Sequence, residues 1–170
     1  MKRSENRILT THVGSLIRPA GLFEALSGVR DRSPAHDGLV IEILDGAIKD
    51  IVRRQAEVGI DIINDGEFGE SSWANCIFER ISGFENRPNQ KAPVHRLGSD
   101  PQRFDQFFVK EMPLIAEGLP VDACTGPIAY TDPIPMDTNI RLLKQALDSV
   151  SVTEAFLTAV ATGKPLPLQV

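Results

Sequence analysis

The segment Gly59–Gly69 places the strongest constraint on how this chain can fold. Its apolar residues are mostly β-branched and are followed at once by polar residues and glycines. This pattern is typical of a buried parallel strand that delivers side chains to a site at its carboxyl end. Glu67 follows the predicted strand and is therefore the first candidate for a functional residue, although an acidic residue in a solvated loop would give the same pattern.

A long amphipathic helix is predicted immediately before this strand. Between Leu39 and Val58 the apolar residues recur at spacings of three and four, and charged residues occupy the other face. The segment Ile8–Leu16 is predicted as a first strand that runs into a tight turn. Because a strand, a helix and a second strand in this order form a βαβ unit, we expect parallel strands joined by a right-handed crossover.

The rest of the chain extends this alternation. Val121–Tyr130 and Glu154–Ala161 are predicted as a third and a fourth strand, and Asp137–Asn139 opens a helix between them. A further helix is predicted over Ser71–Ile81, and a long loop over Asn86–Gln106. Four strand–helix repeats fit either a doubly wound sheet or part of a (β/α)8 barrel, and spacing alone does not distinguish them.

Composition excludes several classes of function. The 170 residues are 42% apolar and carry a net charge of -5, which suits a globular domain with one sizeable core. Nucleic-acid binding is not expected because no basic tract is longer than Arg53-Arg54. A membrane span is not expected either, because no apolar run reaches about 18 residues. The start of the chain lacks the apolar stretch of a secretion signal, so a cytoplasmic location is expected.

The two cysteines give no sign of a metal site. Cys76 and Cys124 match no metal-binding spacing and are expected to be reduced thiols.

Three segments together resemble one enzyme family. The segments are Thr10–Ser15 (Thr-Thr-His-Val-Gly-Ser), Gly59–Gly69 with its Asn-Asp-Gly-Glu-Phe-Gly ending, and Cys124–Thr131. In this order they are similar to the cobalamin-independent methionine synthase family, and the likeness runs from Ile8 to Ala161. The resemblance implies the catalytic (β/α)8 barrel of that family or of its shorter, single-barrel bacterial relatives.

The resemblance also implies a reaction. It is methyl transfer from methyltetrahydrofolate, or a related donor, to the thiol of homocysteine, which forms methionine. In the family a zinc ion holds that thiol as a thiolate, because a free thiol with a pKa of about 8.5 is mostly protonated at neutral pH. A small thiol amino acid and a folate are thus the implied ligands, and Zn2+ is the implied cofactor.

The substrate-binding residues are assigned by the same resemblance. Ser15 and the backbone of Val13 and Gly14 match the turn that receives the carboxylate of the amino acid, and Glu67 matches the acid that receives its ammonium group. Both roles are chemically sensible, since a Gly-Ser turn offers N–H donors to an anion and a carboxylate at a strand's end suits a cation. His12 is a further candidate for substrate contact because it falls at the end of the first predicted strand. The alternative for His12 is a hydrogen-bonded strand histidine.

The zinc ligands of the family have no counterpart in this sequence. They are a His-x-Cys pair, a later glutamate and a further cysteine, all from the second half of the barrel, and this chain contains no His-x-Cys. No metal-binding or catalytic residue is therefore assigned. A full barrel needs about 250 residues, so residues 1–170 are predicted to form a partial barrel of roughly four βα units. Whether the chain is an enzyme by itself stays open.

Two alternatives to methyl transfer onto homocysteine remain. One is a non-catalytic half barrel that associates only with itself or with a complementary half, since half a barrel leaves two unpaired strand edges and an exposed apolar surface. The other is a transferase that alkylates a different thiol, such as the enzymes that join epoxides to coenzyme M. A uroporphyrinogen-decarboxylase-like barrel would share the fold but finds no supporting motif here.

Overall fold

A computed structural model describes residues 2–28, 37–70, 76–78, 80–92, 99–113 and 119–159. The helices are α1 (Ala20–Gly28), α2 (Gly38–Glu57), α3 (Asp100–Arg103), α4 (Asp105–Glu111) and α5 (Ile134–Leu147); the strands are β1 (Ile62–Ile63), β2 (Phe84–Ala92), β3 (Leu119–Cys124) and β4 (Glu154–Ala155). These elements divide into two compact units, the first formed by the residues before Ser82 with segment 130–159, and the second by Ser82–Ala129.

The long helix α2 confirms the prediction for Leu39–Val58. It begins where the Asp37 carboxylate accepts hydrogen bonds from the backbone N–H groups of Leu39 and Val40, at 2.9 and 3.2 Å. This is the usual means of satisfying the free amides of a first helical turn. Ion pairs between Arg53 and its helical neighbours lie on the exposed face, so the opposite, apolar face of the helix is the one that is buried.

A small parallel sheet lies beside this helix in the first unit. Ile62 pairs with Glu154 and Ile63 with Ala155, so that β1 and β4 run parallel. Thr11 forms a single parallel bridge to Ile62, and this bridge is what the structure shows of the predicted first strand. The order of these three segments in the sheet is therefore Thr11, β1, β4. Val160 and Ala161, the predicted end of the fourth strand, lie outside the described residues.

The core of the first unit is apolar and includes side chains from three helices and from β1. Its buried members are Leu22, Leu44, Ala47, Ile48, Val52, Ile63, Phe68, Leu142, Leu143 and Ala146. Helix α5 begins at Ile134 rather than at the predicted Asp137, with Pro135 in its first turn, where a missing N–H costs no helical hydrogen bond. Most of the helix predicted over Ser71–Ile81 lies outside the described residues, and residues 76–78 form a turn.

The second unit contains an antiparallel pair of strands. Strands β2 and β3 pair from Phe84 opposite Cys124 to Ala92 opposite Leu119, with an irregularity between Arg87 and Lys91. The prediction of a long loop over Asn86–Gln106 is therefore wrong, since this segment contains most of β2, all of α3 and the start of α4.

The described residues do not form a barrel. They contribute three parallel segments. Of the predicted third strand, Val121–Tyr130, only residues 121–124 form a strand, and they lie in the antiparallel pair, so the prediction of four βα units is wrong for this part of the chain. Val121 and Ala123 are buried while Asp122 and Cys124 are more exposed, and this alternation suits a sheet with one covered face, whereas a central parallel strand is apolar on both faces. The structure is mixed α/β with small sheets. None of the helices in the described ranges has the length and apolarity needed to cross a bilayer.

Candidate functional site

The loop that follows β1 folds back on itself through its own side chains. The N–H of Gly66 donates to the Asn64 side-chain oxygen at 2.8 Å, and the N–H of Glu67 donates to Asp65 Oδ1 at 3.0 Å. Gly66 has a φ of 71° and Glu67 a φ of 58°, both in the left-handed region. That conformation costs a residue with a side chain about 1–2 kcal/mol, so the conformation of Glu67 depends on these hydrogen bonds.

A buried glutamine of α2 fixes the start of this loop. Gln55 is 3% exposed, donates to the carbonyl of Asn64 at 2.7 Å and accepts from the N–H of Asn64 at 3.2 Å. The Asn64 side chain in turn donates to the carbonyl of His12 at 2.6 Å. Sequence analysis did not single out Gln55, although its position in line with Ile48 and Val52 on the buried face of α2 is a signal that could have found it.

The structure brings Ser15 and Glu67 together from positions 52 residues apart. The Ser15 hydroxyl donates to Glu67 Oε2 at 2.6 Å, and the N–H of Leu16 donates to the carbonyl of Gly66 at 3.0 Å. Glu67 is 7% exposed. Two of the residues predicted to bind substrate are therefore in direct contact, and the backbone on either side of that contact is also joined.

The other predicted site residues lie in the turn before Ser15. Gly14 has a φ of 97°, with no atom near the position that a Cβ would occupy, and the Val13 side chain is 70% exposed. The ring of His12 lies with Nε2 at 3.0 Å from the carbonyl of Gly14. This bond stabilises the turn, so the ring of His12 is engaged by its own segment rather than by Ser15 or Glu67.

An arginine from the same segment bridges the end of the loop. Arg18 Nη2 donates to the carbonyl of Glu67 at 2.8 Å and to the carbonyl of Glu70 at 2.7 Å. The sequence pattern did not single out Arg18 as a candidate site residue. The signal available was its nearness to Ser15, which is three positions earlier.

Burial sets the electrostatics of the acidic residues here. Desolvation raises the pKa of the buried Asp65 above its ordinary value, and the charge of Glu67 raises it further, while Arg18 opposes both effects. Desolvation likewise raises the pKa of Glu70. The guanidinium of the buried Arg80, whose Nη2 lies 3.9 Å from the Glu70 carboxylate, opposes this increase in pKa. The loop thus brings three carboxyl groups together where little water screens them, an arrangement that favours a cationic ligand group over an anionic one.

A separate ion pair anchors the first strand at the opposite end of β1. The Asp61 carboxylate accepts from Arg7 at 2.7 Å and from the N–H and hydroxyl of Thr10 at 2.9 and 3.1 Å. The hydrogen bond from Arg7 lowers the pKa of Asp61 well below its ordinary value. Asp61 therefore holds the strand that leads to Ser15 and is not itself part of the candidate site.

The described residues do not fit the zinc that the resemblance implies. Across the described ranges, no three His, Cys, Asp or Glu side chains are grouped as a metal ion requires. Cys76 is buried and Cys124 is exposed. What the site can do on its own is place one carboxylate, one hydroxyl and a glycine turn around a small polar ligand.

Comparison with known proteins gives three findings. No family model matches the chain. An uncharacterized protein YxjH of Bacillus subtilis (strain 168) is 35% identical over 77 residues, which is 44% of this chain and 19% of that protein, so the match spans about a fifth of the relative's length. A B12-independent methionine synthase from Shewanella sp. W3-18-1, solved in complex with selenomethionine, aligns over 80% of this chain and 34% of its own, with 16% identity and a TM-score of 0.49. At that score the likeness establishes neither the fold nor the function of this chain.

Proposed function

We propose that this chain supplies the amino-acid-binding part of a thiol methyltransferase built on a (β/α)8 barrel, which moves a methyl group from methyltetrahydrofolate or a related donor to homocysteine. The observation that carries the proposal is the 2.6 Å hydrogen bond between Ser15 and Glu67. These are two of the residues that the resemblance assigns to the two ends of an amino acid. The three motif segments in their order are the second line of support.

The proposed contacts follow from charge. The Glu67 carboxylate binds the ammonium group of the ligand, and the ligand's carboxylate is received by backbone N–H groups of the turn that contains Val13, Gly14 and Ser15. The Ser15 hydroxyl orients the carboxylate of Glu67 through the bond described above. A hydrogen bond to a charged group contributes about 1.5–3 kcal/mol, which corresponds to roughly 10-fold or more in affinity.

The thiol chemistry needs a thiolate, because the thiol itself is a poor nucleophile. A zinc ion would supply the thiolate if the protein binds one, as the resemblance implies, but the described residues offer no ligand set for it. Methyl transfer by the whole protein is part of this proposal.

Calorimetric titration of the full-length protein tests the ammonium contact. We expect L-methionine, which has the same ammonium and carboxylate as homocysteine, to bind about 10-fold or more tightly than 4-(methylsulfanyl)butanoate, which lacks the ammonium. Glu67→Gln should abolish this preference. Glu57→Gln is the matched control, since Glu57 lies on the exposed face of α2 and pairs only with Arg53 among the described residues. Equal affinity for the two ligands in the unmodified protein would refute the proposal.

The same titration addresses the alternative acceptor. Coenzyme M has no ammonium group, so a transferase acting on it would gain nothing from Glu67. Binding of coenzyme M that is insensitive to Glu67→Gln, with no binding of L-methionine, would favour that alternative.

Self-association is a second candidate because apolar side chains of the first unit are exposed. Ile8 is 83% exposed, Val13 70% and Ile17 95%, and within the described residues Thr11 and β4 are the edges of the parallel sheet. A second copy of the chain, or a complementary half barrel, would cover such a surface. Sedimentation equilibrium and the titration together distinguish the candidates. A non-catalytic self-associating chain would sediment as a dimer and would bind neither L-methionine nor coenzyme M.

A further inference from the structure

Among the described residues, the hydrogen bonds of Arg18 go to the backbone of the proposed ligand-binding residue and of its loop. One terminal nitrogen of its guanidinium donates to the carbonyls of Glu67 and Glu70, at 2.8 and 2.7 Å. The first carbonyl belongs to the left-handed Glu67 itself, and the second lies three residues further along the chain. We infer that Arg18 is the positioning residue that aims the Glu67 carboxylate at the ligand's ammonium group, an inference that rests on the function proposed above.

Arg18 can position the Glu67 side chain because the left-handed backbone of Glu67 needs hydrogen bonds at both its N–H and its carbonyl. Its N–H donates to Asp65 within the loop, and its carbonyl accepts from Arg18 at 2.8 Å and from the N–H of Glu70 at 3.3 Å. Without the shorter bond from Arg18, only the longer bond from Glu70 would hold this carbonyl, and the left-handed conformation, which costs about 1–2 kcal/mol, would relax more easily and carry the side chain away.

Arg18 also couples the two halves of the site. It is three positions after Ser15 in the chain, and the intervening Leu16 donates its N–H to Gly66. The segment from Ser15 to Arg18 is thus joined to the loop at three points: the Ser15 hydroxyl, the Leu16 amide and the Arg18 guanidinium. A shift of Arg18 would move Ser15 and Glu67 relative to each other.

A purely structural role for Arg18 predicts a different result, and ligand selectivity separates the two. If Arg18 only stabilises the fold, its replacement weakens binding of L-methionine and of 4-(methylsulfanyl)butanoate by the same factor. If Arg18 aims Glu67, its replacement weakens binding of L-methionine alone, because the analogue has no ammonium group for Glu67 to bind.

The experiment is a titration of both ligands into the full-length protein and its Arg18→Met and Arg18→Lys variants. We expect Arg18→Met to weaken L-methionine binding about 10-fold and to leave the analogue within about 2-fold. Arg18→Lys keeps the charge but not the planar fork, so it should restore part of the preference. Arg53→Met removes an arginine from the exposed face of α2, where it pairs with Asp50 and Glu57, and should change neither affinity.

The affinities of the variants for the two ligands decide whether Arg18 positions Glu67. Retention of the full preference in Arg18→Met, or an equal loss for both ligands, overturns it while leaving the proposed function intact. Absence of any preference in the unmodified protein overturns both. Should Arg18→Met fail to fold, Arg18→Lys decides: a reduced preference supports positioning, and an unchanged preference refutes it.

Discussion

The two units of the chain bury different kinds of side chain. In the first unit a continuous apolar core lies beside buried polar residues, among them Gln55, Asn64 and Glu67. The buried apolar cluster of the described second-unit strands consists of Val121 and Ala123. A buried polar group is tolerable only when its hydrogen bonds are satisfied and rigid neighbours hold them in place. The candidate site therefore lies on the first unit, where an apolar core can hold buried polar side chains in place.

Removal of a core side chain from each unit should reveal the largest difference in stability between them. Ile63→Ala empties a fully buried strand position in the first unit and should lower the free energy of unfolding by about 2–5 kcal/mol. Val121→Ala removes fewer atoms from a strand position with a smaller buried cluster, so we expect a loss below about 2 kcal/mol. Urea denaturation measures both. Losses of equal size would show that the second unit is packed as firmly as the first.

A pair of glycines gives a sharper test, because both have a positive φ but different surroundings. Gly59 has a φ of 82° with open space around an added Cβ, so Gly59→Ala should cost only the left-handed conformation, about 1–2 kcal/mol. Gly83 has a φ of 90°, and its Cβ would lie 2.6 Å from the carbonyl oxygen of Pro127 and 2.7 Å from that of Gly126.

Gly83→Ala should therefore destabilise the protein by at least about 1 kcal/mol more than Gly59→Ala, because backbone atoms must move to make room. The readout is again the midpoint of urea denaturation. An equal cost for the two substitutions would mean that the turns around Gly83 yield easily, and that the second unit is looser than its hydrogen bonds suggest.

The buried glutamine tests the polar part of the first unit. Gln55→Met keeps the volume of the side chain but leaves the N–H and carbonyl of Asn64 without their partner, which should cost about 1–3 kcal/mol. Amide hydrogen exchange should show faster exchange at Asn64 than in the unmodified protein. Gln145→Met, on the exposed side of α5, serves as the control. Unchanged exchange at Asn64 would mean that Gln55 is not what holds the loop.

The smallest expected effect is on pH dependence. Because the pKa of Asp65 is raised by burial, the folded protein binds this proton more tightly than the unfolded chain does. The free energy of unfolding should then fall as pH rises from the ordinary carboxyl range through the raised pKa. Asp65→Asn keeps an oxygen for the N–H of Glu67, and its stability should fall less as pH rises above the ordinary carboxyl range, which is near pH 4.

Asp61 provides the opposite sign within the same unit. Its lowered pKa adds stability above the ordinary carboxyl range, and this stability is lost as pH falls through that range toward the lowered pKa. Arg7→Met should therefore flatten the curve of stability against pH below the ordinary carboxyl range, while Asp65→Asn flattens it above that range. Identical curves for the two variants would contradict both assignments.

Local patterns allowed part of this structure to be predicted. The spacing of apolar residues located α2 almost to its ends, and the change from apolar to polar residues after Ile63 identified Glu67. The pairing of β2 with β3 joins segments that are distant in sequence, and no local pattern encodes such a partner. The alternation in β3 was visible but was interpreted as a parallel strand. Gln55 and Arg18 were missed because their partners are backbone atoms, which carry no residue-specific signal.

The left-handed backbone of Glu67 has a consequence for any laboratory evolution of this protein. Glycine and asparagine tolerate that conformation best, and neither carries a carboxylate. A library selected only for resistance to heat would therefore tend to replace Glu67 and discard the proposed ammonium contact. A library selected for ligand capture would retain the acid, and the surrounding hydrogen bonds would have to keep compensating for its strain.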